Sequence, residues 1–152
     1  MHRRARPDSR LQLVCTGAPN ELMRAFKEEA PPELVVFAGY VNERELGGLM
    51  HACAALIFPS LYEGFGMPVV EAMARGRPVL CSRVTSLPEV AGDAAVYFDP
   101  EEPRQIARAI DTLQDESAMA ELMRRGQQRA ARMGTGRELA ARYLQLFDEV
   151  LG

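Results

Sequence analysis

Short apolar runs alternate along the first hundred residues with segments whose apolar positions recur at helical spacing. The apolar runs predict five strands, at residues 11–16, 34–38, 54–58, 78–81 and 95–98. Between them the pattern predicts helices at 20–30, from Asn42 onward, at 68–75 and, briefly, at 88–90. Continuously apolar strands separated by helices are typical of buried strands in a parallel sheet that is covered on both faces. The sequence therefore predicts the α/β class, with a Rossmann-like doubly wound parallel sheet.

Beyond residue 100 the strand pattern ends and helices take over. Three helices are predicted, at residues 103–114, 116–132 and 137–150. Apolar stripes along the first and last of them indicate core or docking surfaces. Among the earlier helices, Asn20 and Asn42 are predicted N-caps, because a short polar side chain at that position accepts a hydrogen bond from the first turn.

Composition narrows the possible functions. The chain has 152 residues, enough for one domain with a buried core, and a net charge of -3, which offers no basic field for nucleic acid. Four arginines of the predicted helix at 116–132 are interpreted as a solvated face: Arg124, Arg125, Arg129 and Arg132. No apolar run reaches the length of a membrane span, and no signal segment follows the basic N-terminus.

Cysteine and histidine are sparse. Cys15, Cys53 and Cys81 lie far apart in apolar runs, which predicts buried reduced thiols and a cytoplasmic protein. With two histidines and no cysteine pair, a zinc site or a histidine-based triad is not expected. His51, on the helix before the third strand, is interpreted as a surface residue.

The segment between the third strand and the next helix combines groups that suit a phosphorylated sugar. Gly64 and Gly66 flank Phe65, so the backbone can turn sharply and approach a ligand closely. Pro68 suits the first helical position, where its missing N–H costs nothing. Free amides at that helix start, with the positive end of the helix dipole, favour a phosphate group.

Two carboxylates flank this turn. Glu63 precedes it and Glu71 lies one turn into the helix. A carboxylate accepts two hydroxyl hydrogen bonds at once, which suits the vicinal hydroxyls of a ribose or a hexose. The same residues are equally compatible with a glycine-containing turn in which Glu71 faces solvent. Glu89 is likewise compatible with a ligand contact or with a first-turn carboxylate favoured by the helix dipole.

Residues 58–79, FPSLYEGFGMPVVEAMARGRPV, closely resemble the signature of retaining glycosyltransferases of the GT-B fold, the "glycosyltransferases group 1" family. The family's hallmark is a pair of glutamates with seven residues between them, matched by Glu63 and Glu71. Residues 85–95, TSLPEVAGDAA, resemble the family's next block, and residues 37–41 resemble the strand and loop upstream. The resemblance is nearest to mannosyl- or rhamnosyltransferase-like members of polysaccharide pathways.

The resemblance implies a hexose transfer from a nucleotide diphosphate sugar, with retention at the anomeric carbon. Glu63 would be the catalytic residue, meeting the hexose hydroxyls beside the reacting centre, and Glu71 would bind the ribose hydroxyls. The other implied substrate-binding residues are Gly64, Phe65, Gly66 and Met67 at the sugar and distal phosphate, Leu87, Pro88 and Glu89 beside the nucleotide, and Tyr40 and Val41 near the base. Thr85 and Ser86 stand where many relatives have two glycines, which puts the amide contacts of that block in doubt. No metal or other cofactor is implied.

The resemblance also implies a domain organisation. Residues 11–133 would form the donor-binding domain, the C-terminal half of a GT-B fold, and residues 134–152 a C-terminal helix. The first strand of that domain, the Arg and Lys that the family directs at the diphosphate, and the N-terminal acceptor domain have no match here. We therefore expect the isolated chain to be inactive. An exposed sheet edge or the last helix would permit self-association.

In the full-length protein, the missing domain would bind a glycan or lipid-linked acceptor, which would place that protein in the cytoplasm or peripherally at the inner membrane.

Two other functions compete with glycosyl transfer as interpretations of the sequence. A sugar-nucleotide epimerase would share the fold, but the block Glu63–Pro68 argues against it. A non-catalytic sugar-nucleotide-binding or assembly module is favoured by the unmatched Arg and Lys.

Overall fold

A computed structural model of the protein describes residues 11–18, 21–134, 144–145 and 147–149. The chain divides into two compact units, Met1–Ala52 and Cys53–Gly152. Both contain parallel strands connected by helices, which confirms the predicted α/β class.

The first unit contains two strands and two helices: β1 (Leu13–Thr16), α1 (Glu21–Glu29), β2 (Val35–Gly39) and α2 (Glu43–Ala52). The strands are parallel, with Leu13 opposite Val35. The predicted cap at Asn42 is confirmed, because its Oδ1 accepts from the Glu45 N–H at 3.0 Å while the Glu45 carboxylate accepts from the Asn42 N–H at 2.9 Å. This reciprocal pair satisfies two backbone donors at the start of α2. Asn20 lies outside the described residues.

Up to Met133, the second unit contains three strands and four α-helices: β3 (Leu56–Phe58), α3 (Met67–Ala74), β4 (Val79–Ser82), α4 (Leu87–Ala91), β5 (Val96–Phe98), α5 (Pro103–Asp111) and α6 (Glu116–Met133). A short 3-10 turn, Thr112–Gln114, joins the last two helices. The strands run parallel in the order β3-β4-β5, so β4 is central.

The core of this unit lies on both faces of β4, whose four residues are all buried. On one face, Val79 and Cys81 belong to a cluster with buried residues of α3, α4 and α6. On the other, Leu80 packs with Phe98 and Ala109 of α5. Helices therefore cover both sides of the strand, as the doubly wound prediction requires.

Several details differ from the prediction. The residues of β1 are mostly exposed (Leu13 is 41% and Val14 43% exposed), so the prediction of a buried strand was wrong. Side chains of a strand are buried by what covers the faces of its sheet, and Met50 is the one buried apolar residue among the described residues of this unit. β1 and β2 form the two-stranded sheet of the first unit, and β3, β4 and β5 form the three-stranded sheet of the second. The helix predicted at 137–150 lies largely outside the described residues.

Candidate functional site

Two loops of the second unit leave the same edge of the three-stranded sheet. Phe58 at the end of β3 pairs with Cys81 of β4, so the loops that follow these parallel strands begin side by side. The first loop leads to α3 and contains Glu63, and the second leads to α4. Ligands of open α/β sheets bind beyond the carboxyl ends of the strands, so these loops are the natural place for a site.

Gly66 shapes the start of α3. It is the N-cap residue, with φ 92° and ψ 46°, a left-handed conformation in which glycine carries no steric penalty. A Cβ at this position would lie 2.6 Å from Leu87 Cδ2, so the backbone of the turn packs directly on the first residue of α4. The helix begins at Met67, and the prediction of Pro68 at the first helical position is corrected by one residue, to the second.

The turn before α3 presents unpaired backbone donors. In the described part of the chain, no acceptor is bonded to the N–H groups of Gly64, Phe65, Gly66 or Met67. The carbonyl of Gly66 is already engaged, accepting from the Val69 N–H at 2.9 Å. Such a set of free amides at the positive end of a helix dipole can bind an anionic group.

Glu63 is held by its main chain while its side chain lies over Gly66. Its N–H donates to Thr85 Oγ1 at 3.1 Å, and its carbonyl accepts from Thr85 Oγ1 at 2.8 Å and from Ser86 Oγ at 3.0 Å. The Glu63 Cγ is 3.7 Å from the Cβ position of Gly66. The side chain of Glu63 therefore begins beside the turn at Gly66.

Glu71 lies on α3, and its side chain is 40% exposed. Its carboxylate is 3.8 Å from the guanidinium of Arg75 one turn later, at the long end of an ion pair. Arg75 also donates to the Glu71 carbonyl at 3.0 Å. An exposed pair at that distance contributes little to stability, so the carboxylate remains available to a ligand.

Of the residues of α4 that were predicted to border the nucleotide, one is buried and two are exposed. Leu87 is fully buried in the core, so its side chain supports the turn at Gly66 and does not face solvent. Its N–H also donates to the Val84 carbonyl, at 3.1 Å. Pro88 and Glu89 are exposed in the first turn. Of these three, Pro88 and Glu89 have side chains that can meet a ligand.

The base-contacting candidates lie in the first unit. Tyr40 is 82% exposed and Val41 is half-buried, both in the loop that follows β2. Both residues lie beyond the carboxyl end of β2, and their proximity to a base stays a prediction. His51 is exposed on α2, as predicted.

Two interactions in the second unit were missed by sequence reasoning. The hydroxyls of Thr85 and Ser86 bind the main chain of Glu63, whereas the sequence drew attention only to the absence of glycines there. Arg129 was assigned to a solvated face, but it is half-buried and donates to the carbonyls of Glu89 and Val90 in α4. The sequence signal available for this contact was a glycine in α6 followed three residues later by an arginine. That spacing does not identify the carbonyls that the arginine binds.

Two other arginines of that helix, Arg124 and Arg125, engage in ion pairs. Arg124 and Arg125 both donate to Glu121, at distances of 2.7–2.8 Å. These hydrogen bonds, from Arg124 first, lower the pKa of Glu121 to about 2. Arg125 also lies 3.5 Å from the Asp93 carboxylate, so two carboxylates face the two guanidinium groups and this part of the surface is an ion-pair network.

Comparison with known proteins identifies the family. Residues 1–116 match the family model described as Glycosyl transferases group 1. The chain belongs to this family. Membership covers most of the sequence, including both glutamates and the blocks that flank them.

Curated members of the glycosyl transferases group 1 family are similar to the chain over different lengths. The O-antigen chain mannosyltransferase B of Escherichia coli is 49% identical over 82 residues, covering 53% of this chain and 22% of that protein. The MMP alpha-(1->4)-mannosyltransferase of Mycolicibacterium hassiacum is 29% identical over 153 residues, covering 97% of this chain and 37% of that protein. The chain thus spans well under half the length of these relatives.

Solved structures share the fold of this family member. A sucrose-phosphate synthase from Thermosynechococcus elongatus superposes with a TM-score of 0.80 at 24% identity, over 92% of this chain and 38% of that one. Anabaena HepE, solved in complex with UDP and glucose, superposes with a TM-score of 0.76 at 20% identity, over 91% and 40%. These likenesses establish the fold.

Two features are absent from the described residues. No helix among them has both the length and the apolar character needed to cross a bilayer. No group of three or more His, Cys, Asp or Glu side chains in the same residues is arranged to hold a metal ion.

Proposed function

We propose that the chain forms the donor-binding part of a retaining glycosyltransferase that moves a hexose from a nucleotide diphosphate sugar to a glycan or lipid-linked acceptor. The observation that carries the proposal is the turn at Gly66, where free amides at the start of α3 lie between the carboxylates of Glu63 and Glu71. Family membership and the UDP bound by a structurally similar protein support the same ligand class. Residues 11–133 would be the donor-binding domain.

Each group in the turn has a separate task in this proposal. The amides of Gly64 to Met67 bind the diphosphate and stabilise the negative charge that develops on it as it leaves. Glu63 accepts hydrogen bonds from the hexose hydroxyls. Glu71 accepts hydrogen bonds from the ribose hydroxyls, exchanging its long contact with Arg75 for them. No metal ion or other cofactor is required for these contacts.

The roles of Glu63 and Glu71 can be distinguished by comparing the binding of a nucleoside diphosphate with the binding of its sugar conjugate. Glu71→Gln should weaken both ligands about tenfold or more, because the ribose is common to both and a charged hydrogen bond is lost. Glu63→Gln should weaken the sugar conjugate by a similar factor and leave the diphosphate unchanged. Titration calorimetry with UDP, GDP, ADP and their hexose conjugates measures both affinities.

Glu101→Gln is the matched control, since Glu101 is an exposed carboxylate in the loop after β5, and both affinities should stay at the wild-type value. Absence of binding by every nucleoside diphosphate would overturn the proposed function. Equal loss of both ligands in Glu63→Gln would assign the effect of Glu63 to the nucleotide part of the ligand and not to the hexose.

A further inference from the structure

Thr85 adopts an unusual backbone conformation. It lies in the loop between β4 and α4 with φ 45°, and within the described residues every other positive φ belongs to a glycine. A β-branched side chain is disfavoured in this left-handed region because its Cβ crowds the backbone. A threonine persists there only if the surrounding contacts offset the strain.

The hydroxyl of Thr85 provides those contacts. Its Oγ1 accepts from the Glu63 N–H at 3.1 Å and donates to the Glu63 carbonyl at 2.8 Å, so one side chain satisfies both polar groups of that residue. Ser86 Oγ donates to the same carbonyl at 3.0 Å. The loop after β4 thereby holds a residue 22 positions earlier in the chain by three hydrogen bonds.

The residue after Glu63 offers no side chain to hold it. Gly64 follows Glu63 directly, and a Cβ there would have nothing within 4 Å. Without the two hydroxyls, the peptide group between Glu63 and Gly64 would lose the hydrogen bonds to its carbonyl, and the Glu63 carboxylate would have to be ordered when a ligand binds. Groups fixed before binding avoid that entropic cost.

We propose that Thr85, assisted by Ser86, is a positioning residue that fixes the main chain of Glu63 so that its carboxylate meets the hexose of the donor. The inference rests on the proposed function, since it assigns the effect to the hexose part of that ligand. It therefore concerns the preference for the sugar conjugate over the bare nucleoside diphosphate, and not the affinity for the diphosphate.

The test compares three substitutions at position 85. Thr85→Gly removes the hydroxyl and suits φ 45°, so the variant should melt close to the wild-type temperature. Its preference for the sugar conjugate over the nucleoside diphosphate should fall by about twofold to tenfold. This is the range expected when a side chain must be ordered on binding. Thr85→Val removes the hydroxyl and keeps the strained backbone, so it should lose the same preference and also melt lower. Thr85→Ser keeps the hydroxyl and should retain the preference.

The matched control is Thr112→Val. Thr112 Oγ1 donates to the Ala109 carbonyl at 2.6 Å in the turn after α5, away from both loops. This variant should melt lower with an unchanged ligand preference, which separates a loss of stability from a loss of positioning. Both affinities are measured by calorimetry with UDP or GDP and the corresponding hexose conjugate.

A ligand-free measurement addresses the geometry directly. The Glu63 amide should exchange its proton slowly in the wild-type protein and in Thr85→Ser, and at least about tenfold faster in Thr85→Gly, because its acceptor is lost. Amide exchange by NMR reports this residue alone. Fast exchange in the wild type, or an undiminished sugar preference in Thr85→Gly, would overturn the positioning role while diphosphate binding kept the proposed function in place.

Discussion

Gly66 shows how one missing side chain allows the turn before α3 to form. Its φ of 92° and the 2.6 Å approach of Leu87 Cδ2 to its Cβ position both exclude a larger residue. Gly66→Ala should lower the free energy of unfolding by at least about 2 kcal/mol, combining backbone strain with overpacking. Urea denaturation followed by circular dichroism measures this change.

Gly64→Ala is the control for that stability measurement, because nothing lies within 4 Å of its Cβ position and its φ is not positive. It should change the free energy of unfolding by less than about 1 kcal/mol. Similar losses in the two variants would contradict the role assigned to the contact with Leu87.

Cys81 is the second residue whose environment leads to a measurable expectation. Its burial raises the pKa of the thiol to about 12, from 9.0. Because the folded pKa is the higher one, the stability contributed by the neutral thiol is complete below pH 9.0 and is lost as the pH rises toward about 12.

We therefore expect the wild-type free energy of unfolding to fall more steeply above pH 9 than that of Cys81→Ala, by up to about 1.4 kcal/mol per pH unit. Denaturant titrations at pH 8, 9, 10 and 11 provide the two slopes. Parallel slopes would show that the thiol ionises as easily in the folded protein as in the unfolded chain.

At the residue scale, the sequence predicted interactions between residues that lie close together along the chain. The capping pair of Asn42 and Glu45 follows from a spacing of three residues along one chain segment. The hydrogen bonds from Thr85 to Glu63 could not be predicted in the same way. They join loops 22 residues apart and require a left-handed threonine, which no propensity favours.

The helix α4 illustrates how an element is held at both ends. At its start, Leu87 packs against Gly66, and at its end Arg129 of α6 donates to the carbonyls of Glu89 and Val90. Carbonyls in the last turn of a helix have no partner within the helix, so a guanidinium there satisfies them. Gly92 makes room for it, because a Cβ would lie 2.6 Å from Arg129 Nη1.

Arg129→Met should lower the free energy of unfolding by about 1–3 kcal/mol, because charged hydrogen bonds to part-buried carbonyls are lost. Gly92→Ala should lower the free energy of unfolding by a similar amount. The loss in the double variant should be smaller than the sum of the losses in the two single variants. Denaturation of the three variants measures the coupling. Arg104→Met, an exposed arginine of α5, is the control, and a strictly additive double variant would contradict the contact.

Element boundaries were predictable to within a few residues because apolar periodicity is a local signal. All five strands were located, but β3 begins at Leu56 and not at residue 54. The helix predicted at 103–114 ends as an α-helix at Asp111 and continues as a 3-10 turn. The hydroxyl of Thr112, which binds the Ala109 carbonyl, accompanies that change and has no counterpart in the pattern of apolar positions.

At the scale of the whole molecule, burial is uneven between the two units. Among the buried apolar residues in the described ranges, only Met50 belongs to the first unit. Local opening requires little free energy where few apolar contacts are broken. Native-state hydrogen exchange should therefore be slowest in β4 and faster by about tenfold or more in β1. Equal protection of the two strands would contradict this distribution.

The arrangement of strands into two sheets could not be predicted from the pattern along the chain. Apolar runs indicate that strands exist, whereas the choice of neighbours depends on contacts between distant segments. The exposure of β1 reflects the scarcity of buried apolar residues in the described part of its unit, and nothing in the run of residues 11–16 distinguishes it from the buried β4.

The contact between Arg129 and α4 also bears on how this protein can be engineered. Mutant libraries for altered donor use are commonly confined to residues around the presumed ligand. Arg129 is 39 residues from Val90, on another helix, yet it holds the far end of the element that supports the turn at Gly66. Directed evolution would therefore have reason to sample positions along α6, where a substitution can shift the turn at Gly66 from a distant helix.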